Sequence, residues 1–289
     1  MPPKPPNGEL AREAARGFSA CANPPVSKAG HFRETPVKVV VGPSNNSKTF
    51  YLAPTPLKAT SPYFRACLSE NFKEGAENLV NLPDIDVTTF ESFIEWLFGG
   101  CEKHDKWYDV QHLVQLWILG DSIMCKGLQN TAIDIMRASC SSYPIHTTMM
   151  LHRSLSFIIE HTREGSVLFE YAIDSVAHAL TQVEGPTLNE LETLEGGKYW
   201  ANLPDTVKVA ILTRYYHYVQ LGSAVPSPSS YGGCCYHVHD GNDTTDGSRA
   251  GKNVIPDPMA KNNQCSSKKK GIPGGLQPVN TLKSRNDGL

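Results

Sequence analysis

The stretch VKVVVGPSNNSKTFYL, residues 37–52, constrains the fold more than any other part of the chain. Val37, Val39 and Val41 alternate with Lys38 and Val40, which is the period of a strand with one buried face. Residues 49–52 are again β-branched and aromatic, and the residues between the two runs are of the small polar kinds that form turns. The pattern predicts a β-hairpin.

The same stretch contains an alternative that concerns nucleotides. Gly42–Thr49, GPSNNSKT, is one residue short of a phosphate-binding P-loop, because Ser47 stands where the second glycine belongs. A P-loop needs glycine backbone and a helix N-terminus directly after it. Here strand-forming residues follow Lys48, and Pro54 and Pro56 come next. The hairpin is therefore favoured, and a P-loop-like nucleotide-binding enzyme that Lys48→Ala would inactivate remains the remote alternative.

Composition divides the chain into a foldable part and two tails. Residues 1–35 are proline-rich, and residues 223–289 are rich in Ser, Gly, Pro, Asn and Lys, so both are predicted to be disordered. Residues 36–222 carry 14 Lys+Arg against 21 Asp+Glu, whereas the two tails together carry 13 against 8. The acidic folded part argues against direct nucleic-acid binding. The C-terminal tail is predicted to be basic, with three consecutive lysines at 268–270.

Helical periodicity dominates after the hairpin. Val87–Phe98 repeats aromatic and aliphatic residues at helical spacing, and Thr88 with Glu91 predicts a capping box at its start. The next helix, around residues 110–119, is apolar on nearly all sides and is therefore predicted to be central and buried. Further helices are predicted at residues 128–136, 147–159, 166–180 and 204–221.

The pattern predicts no membrane segment and no disulfide framework. The N-terminus lacks an apolar signal region, and no run approaches the ~18 apolar residues that span a bilayer. We therefore expect a protein of the cytoplasm, the nucleus or both, with no membrane partner. Four cysteines lie in apolar helical contexts and are predicted to be small buried hydrophobes: Cys67, Cys101, Cys125 and Cys140.

The sequence contains no recognisable catalytic frame. Nucleophile-elbow, zinc-protease and dinucleotide motifs are absent from it, as are paired carboxylates in a catalytic arrangement. His112 and His178 are predicted to be surface or satisfied core residues rather than bases. We therefore expect no catalytic residue, no cofactor and no enzymatic activity.

One cluster near the C-terminus has metal-binding chemistry. Cys235, His237 and His239 offer the thiolate and imidazole ligands that tetrahedral zinc prefers, and Cys265 is a candidate fourth ligand. No C-x-x-C spacing supports the site, and the surrounding composition predicts disorder. A structural zinc ion is therefore the alternative, and an unligated tail is favoured.

The order of elements resembles a BTB/POZ domain, in the form common among fungal proteins. The resemblance covers residues 36–140 and rests on five segments: VKVVVG, FYLAPTPLKATSPYFRACL, FKEG, LVNLPDIDVTTFESFIEWLFGG and LVQLWILGDSIMCKGLQNTAIDIM. It implies an α/β (α+β) fold in which helices cap a small three-stranded sheet. Residues 141–222 would then form an all-helical extension. Ala53-Pro54 and Pro36 replace residues of the charged pocket found in BTB transcription factors, so a corepressor role is not implied.

The resemblance implies an interaction module. Members of the family form homo- or hetero-oligomers, and some are adaptors that present substrates to a cullin-type ubiquitin ligase. Phe72 and Glu74 have the hydrophobic-x-acid form of those adaptors and are the candidate partner-binding residues, although the expected register lies nearer Ala76 and Asn78. In the competing interpretation Phe72 is a core residue and Glu74 a surface charge. A transcription-linked or zinc-stabilised scaffold is the other alternative.

Overall fold

The computed structural model describes residues 33–98, 109–142, 144–182, 198–221, 227–230 and 235–239. The strands are β1 (Val37–Val41), β2 (Lys48–Leu52) and β3 (Leu79–Leu82). The helices are α1 (Pro54–Thr60), α2 (Pro62–Cys67), α3 (Lys73–Glu77), α4 (Val87–Leu97), α5 (Val110–Ser122), α6 (Lys126–Ser142), α7 (Pro144–His161), α8 (Val167–Ala179), α9 (Lys198–Ala201) and α10 (Asp205–Leu221). A 3-10 turn follows at Pro228–Ser230.

The predicted hairpin is confirmed and forms part of a three-stranded mixed sheet in the order β2-β1-β3. Strand β1 is antiparallel to β2, with Val39 opposite Phe50, and parallel to β3, with Val39 opposite Val80. The alternation in β1 reflects burial, since Val37, Val39 and Val41 are buried in the core. One face of the sheet therefore carries the valine stripe inward, as a strand with a single buried face requires.

The nucleotide-binding alternative is wrong, because the segment after Lys48 is a strand and not a helix. The loop therefore lacks the helix N-terminus that a P-loop directs at phosphate. The Gly42 N–H donates to the Leu82 carbonyl oxygen at 3.0 Å, and Lys48 forms an ion pair with Glu91. Gly42 has φ +94°, and a Cβ there would lie 2.9 Å from the Asn46 carbonyl oxygen, so the tight turn alone requires this glycine.

Polar caps start the helices that cover the sheet. The Ser61 side chain accepts a hydrogen bond from the Phe64 N–H at 3.1 Å, which starts α2. Helix α4 begins after Asp86, whose carboxylate accepts from the Thr89 N–H at 2.9 Å. The predicted capping box of Thr88 with Glu91 is therefore wrong. Asp86 precedes the first helical turn in extended conformation, where its short carboxylate reaches the unpaired N–H groups.

Helix α4 supplies the aromatic centre of the core. Phe90, Phe93 and Trp96 are all buried, and neighbouring ring centroids lie 5.5 and 6.2 Å apart. Phe64 of α2 stacks on Phe93 with 6.3 Å between centroids. Aromatic pairs at these separations contribute beyond the apolar area they bury. The regular spacing of aromatic residues in the sequence therefore marks the face of α4 that is buried in the core.

Helix α5 is central, as its all-round apolar pattern predicts. It packs against α4 on one side and against α6 and α7 on the other. Leu113, Val114 and Leu116 are fully buried, and His112 is a satisfied core residue whose Nε2 lies 2.9 Å from Ser92 Oγ. Since α5 contacts both groups of helices, it joins the sheet-containing part and the helical extension into one hydrophobic core.

The helical extension is built around α8, which packs against α7 and α10. Nearly all of α8 is buried, including Asp174, which forms an ion pair with Arg214 of α10. The helices predicted at residues 110–119, 147–159, 166–180 and 204–221 match α5, α7, α8 and α10 within three residues, whereas α6 extends six residues beyond the predicted 128–136. The observed fold is therefore an α/β domain with a small three-stranded sheet and a helical extension. No helix in the described residues has both the length and the apolar character needed to cross a membrane.

Part of the predicted tail is packed on this extension. Residues 227–230 and 235–239 fall in the stretch for which composition predicts disorder, and the structure places Ser229, Tyr236 and His237 in buried positions. Their partners lie on α6 and α8, far away in sequence. Composition alone misses this contact because it averages over a polar stretch, whereas burial here depends on a few side chains that meet distant partners. Residues 240–289 lie outside the described residues.

Buried His152 makes the stability of the extension sensitive to acid. Its ring stacks on Trp200 with 6.1 Å between centroids, and its Nε2 has no hydrogen-bond partner among the described residues. Burial, assisted by the charge of Arg153, lowers the pKa of His152 to about 4. The neutral ring is therefore the form that the folded protein accommodates.

We expect the free energy of unfolding to fall by about 2 kcal/mol on going from about pH 7 to about pH 5. In this window the unfolded histidine binds a proton and the folded one does not, so acid favours unfolding. Urea denaturation at several pH values measures the slope, and His152→Phe, which removes the titrating group, is the reference. Equal slopes for the two proteins would show that His152 is not responsible.

Candidate interaction surfaces

The hydrophobic-x-acid segment lies at the start of α3. Phe72 is the N-cap of this helix, in extended conformation, and its side chain is 53% exposed. Its backbone is fixed on both sides: its N–H donates to the Ser69 carbonyl oxygen at 3.2 Å, and its carbonyl oxygen accepts from the Gly75 and Ala76 N–H groups. The interpretation of Phe72 as a core residue is therefore wrong, and the turn presents an aromatic ring to solvent.

Glu74 lies two residues after Phe72 and is half-buried. Burial, followed by the charges of Cys67 and Glu74, raises the pKa of Tyr63. The pKa of Cys67 is raised by burial and by Glu74 in the same way. Glu74 thus lies close enough to α2 to act on both side chains. The segment combines an exposed aromatic ring with a fixed negative charge.

Helix α5 adds little accessible surface to this region. Most of its side chains are buried, and only Gln111, Asp121 and Ser122 are exposed. The turn that follows it is more accessible, since Met124 is 56% exposed with φ +57°. The accessible surface around α5 is therefore supplied by its ends and the following turn rather than by the body of the helix.

The outer edge of β2 forms a second surface. The N–H groups of Lys38 and Gly42 donate to residues at the ends of β3. Because backbone groups alternate in direction along a strand, those of Val39 point the other way and pair with those of Phe50 on β2. The backbone groups of Tyr51 then face the outer edge, which no described strand covers. A shallow cleft beside it is lined by Phe50, Tyr51, Leu52, Glu91, Ser92, Ile94 and Glu95.

Helix α10 carries a third surface that the sequence analysis did not identify. Val209, Leu212, Tyr216 and Val219 are exposed at spacings of three and four residues, which places them on one stripe. Ile211 and Tyr218 on the opposite face are buried. The helix is apolar on two faces, so its sequence predicts a helix but not which face is buried in the core. The packing against α8 decides this, because it buries one face and leaves the other exposed.

The structure separates the predicted zinc ligands. Cys235 is exposed, whereas His237 is buried with its Nε2 2.7 Å from Asp134 Oδ1. The His237 and His239 rings are 6.2 Å apart between centroids. Across the described residues, no three His, Cys, Asp or Glu side chains are grouped as metal ligands. Cys265 lies outside the described residues, and zinc binding stays a prediction.

The family comparison agrees with this architecture. Residues 34–118 match the family model of the BTB/POZ domain, from just before β1 into α5. This part of the chain is a BTB/POZ domain, and such a domain is a protein–protein interaction module rather than a type of enzyme. No curated protein matches the chain. The helical extension beyond residue 118 is therefore described by its structure alone.

Proposed function

We propose that this chain is an adaptor that uses its BTB/POZ domain to dock on a cullin-type ubiquitin-ligase scaffold and uses the helical extension to hold a protein substrate. The observation that carries the proposal is the exposed Phe72 ring at the start of α3. Its backbone is fixed by hydrogen bonds, so the ring is presented with little loss of freedom on binding. Aromatic anchors of this kind dominate the energy of protein interfaces.

Self-association is the second part of the proposal. The uncharged stripe on α10 that includes Leu212 and Tyr216 supports it, since two copies could meet there without like-charge repulsion. The outer edge of β2 offers another contact, through unpaired backbone groups of a strand. Both surfaces lie away from Phe72 in sequence, so a dimer leaves the proposed docking segment to be tested separately.

We expect Phe72→Ala to weaken binding of the purified full chain to a cullin scaffold by about tenfold or more, because it removes a central aromatic anchor. A pull-down with purified scaffold, followed by titration, measures the loss. Leu221→Ala is the control, since it truncates another exposed apolar side chain, 43% exposed, which lies at the end of α10 and outside both proposed self-association surfaces. Both variants should unfold at the temperature of the unsubstituted chain.

Two results would reject the adaptor role. One is failure of the scaffold to retain the unsubstituted chain, and the other is equal weakening of binding by the two variants. Light scattering on the same samples gives the mass in solution. A dimer that binds no scaffold would leave a self-associating interaction protein, and a monomer that binds would remove self-association from the proposal.

A further inference from the structure

The C-terminal segment Cys235–His239, here called the strap, is held by side chains that match it group by group. The Tyr236 hydroxyl donates to Asp174 Oδ2 of α8 at 2.7 Å. His237 Nε2 lies 2.7 Å from Asp134 Oδ1 of α6. The rings of Tyr236 and Tyr171 meet edge to face, with 5.1 Å between centroids. Tyr236 and His237 are therefore recognised by their side chains.

Val238 is recognised by its backbone. The Val238 N–H donates to Asn130 Oδ1 at 2.7 Å, and Asn130 Nδ2 donates to the Val238 carbonyl oxygen at 3.2 Å. One amide side chain thus binds both backbone polar groups of a single residue, as a residue of a neighbouring strand would. Asn130 and Asp134 lie one helical turn apart on α6, so the same face supplies both contacts.

These contacts come from helices that have other packing partners besides the strap. Asn130, Asp134, Tyr171 and Asp174 belong to α6 and α8, which pack on the rest of the extension through their own apolar faces. The strap itself is a short segment without helix or strand structure, and its first residue, Cys235, is exposed. Tyr236 is buried in the hydrophobic core and Val238 packs against it. The hydrogen bonds that hold the strap run to side chains of α6 and α8 and belong to no helix or strand ladder, so the strap can open locally without unfolding these helices.

We propose that α6 and α8 form a peptide-binding groove that the chain fills with its own strap, and that releases the strap and rebinds the same Tyr-His-Val sequence supplied in trans. The ligand class is an unstructured peptide that contains a tyrosine, then a histidine, then a residue whose backbone N–H and carbonyl oxygen are available for hydrogen bonding. In the intact chain the strap occupies the groove at high effective concentration and excludes competitors. The inference deepens the substrate-holding part of the proposed function and does not depend on the docking segment, since no contact involves Phe72 or Glu74.

The test uses a fluorescein-labelled peptide with the sequence of residues 235–239, its cysteine replaced by serine. The intact full chain should not bind it measurably. The full chain with Tyr236→Ala and His237→Ala, whose groove is vacated, should bind it saturably. Adding Asn130→Ala to that variant should weaken binding about tenfold, since two hydrogen bonds are lost. Circular dichroism establishes that each variant is folded. Absence of binding by the folded, vacated variant would overturn the proposal, as would affinity that Asn130→Ala leaves unchanged.

Hydrogen exchange on the intact chain decides the matter if the vacated variant fails to fold. The Val238 amide, bonded to Asn130, should exchange at least about tenfold faster than the slowest amides of α6, because the strap opens without the helices. Exchange of Val238 at the same rate as those helical amides would mean that the strap leaves only on global unfolding. The segment would then be a fixed part of the core, and the groove would not be a binding site.

Discussion

Asp174→Ala should lower the free energy of unfolding by about 3–5 kcal/mol, which is the usual cost of removing one partner from a buried ion pair. Asp174 forms an ion pair with Arg214, and Glu170 binds the same guanidinium. The Asp174 side chain is 1% exposed and that of Arg214 is 11% exposed, so water cannot replace the lost carboxylate. The substitution also leaves the Tyr236 hydroxyl without its acceptor.

The electrostatics explain why the loss is large. Burial lowers the pKa of Arg214, but the charges of Asp174 and Glu170 outweigh it and the pKa is raised overall. Burial raises the pKa of Asp174, which the Arg214 charge and the Tyr236 hydrogen bond offset only in part. Each charge is therefore tolerated in the interior because the other is present. Removing the Asp174 carboxylate leaves the Arg214 charge buried without this partner, and the desolvation cost of that charge then lowers the stability of the fold.

Urea denaturation measures the effect, with Glu77→Ala as the control. Glu77 forms an exposed pair with Lys73 at 3.8 Å, and its loss should cost less than about 0.5 kcal/mol. Combining Asp174→Ala with Arg214→Met should restore part of the stability, because the unpaired charge is then removed as well. If Asp174→Ala costs no more than the control, the buried ion pair does not form in solution.

Gly75→Ala should lower the free energy of unfolding by about 3 kcal/mol and displace α3, because overpacking against backbone leaves no side chain to give way. A Cβ at position 75 would lie 2.0 Å from the Ser69 carbonyl oxygen. That carbonyl accepts the Phe72 N–H, so the clash falls on the turn that presents the Phe72 ring. The variant should therefore also bind partners less well at the Phe72 surface, although Gly75 has no side chain with which to contact them.

Gly165→Ala is the matched control, because no atom lies within 4 Å of a Cβ there and the cost comes only from φ +76°. We expect about 1 kcal/mol for that variant. Thermal and urea unfolding of both proteins, with the pull-down repeated on Gly75→Ala, separate the steric effect from the loss of a flexible residue. Equal costs at the two positions would show that residues 69 and 75 do not approach this closely.

The sequence by itself predicted the elements of this protein because their signals are local. The valine alternation in β1 and the aromatic spacing in α4 each record which face of one element is buried. The order of these elements was enough to indicate a BTB/POZ domain, which the family match confirms. The candidate segment at Phe72 was found in the same way, from residues adjacent in the chain.

Only the tertiary structure decided what depends on residues that are distant in sequence. Whether Phe72 is core or surface is set by how the turn after α2 meets α3, and no pattern in FKEG distinguishes the two. The strap shows the same limit, since Tyr236 and Val238 have their partners 62 and 108 residues away, on α8 and α6. Local periodicity reports how much of an element is buried, whereas the identity of its neighbours follows from chain topology, which brings separate segments together.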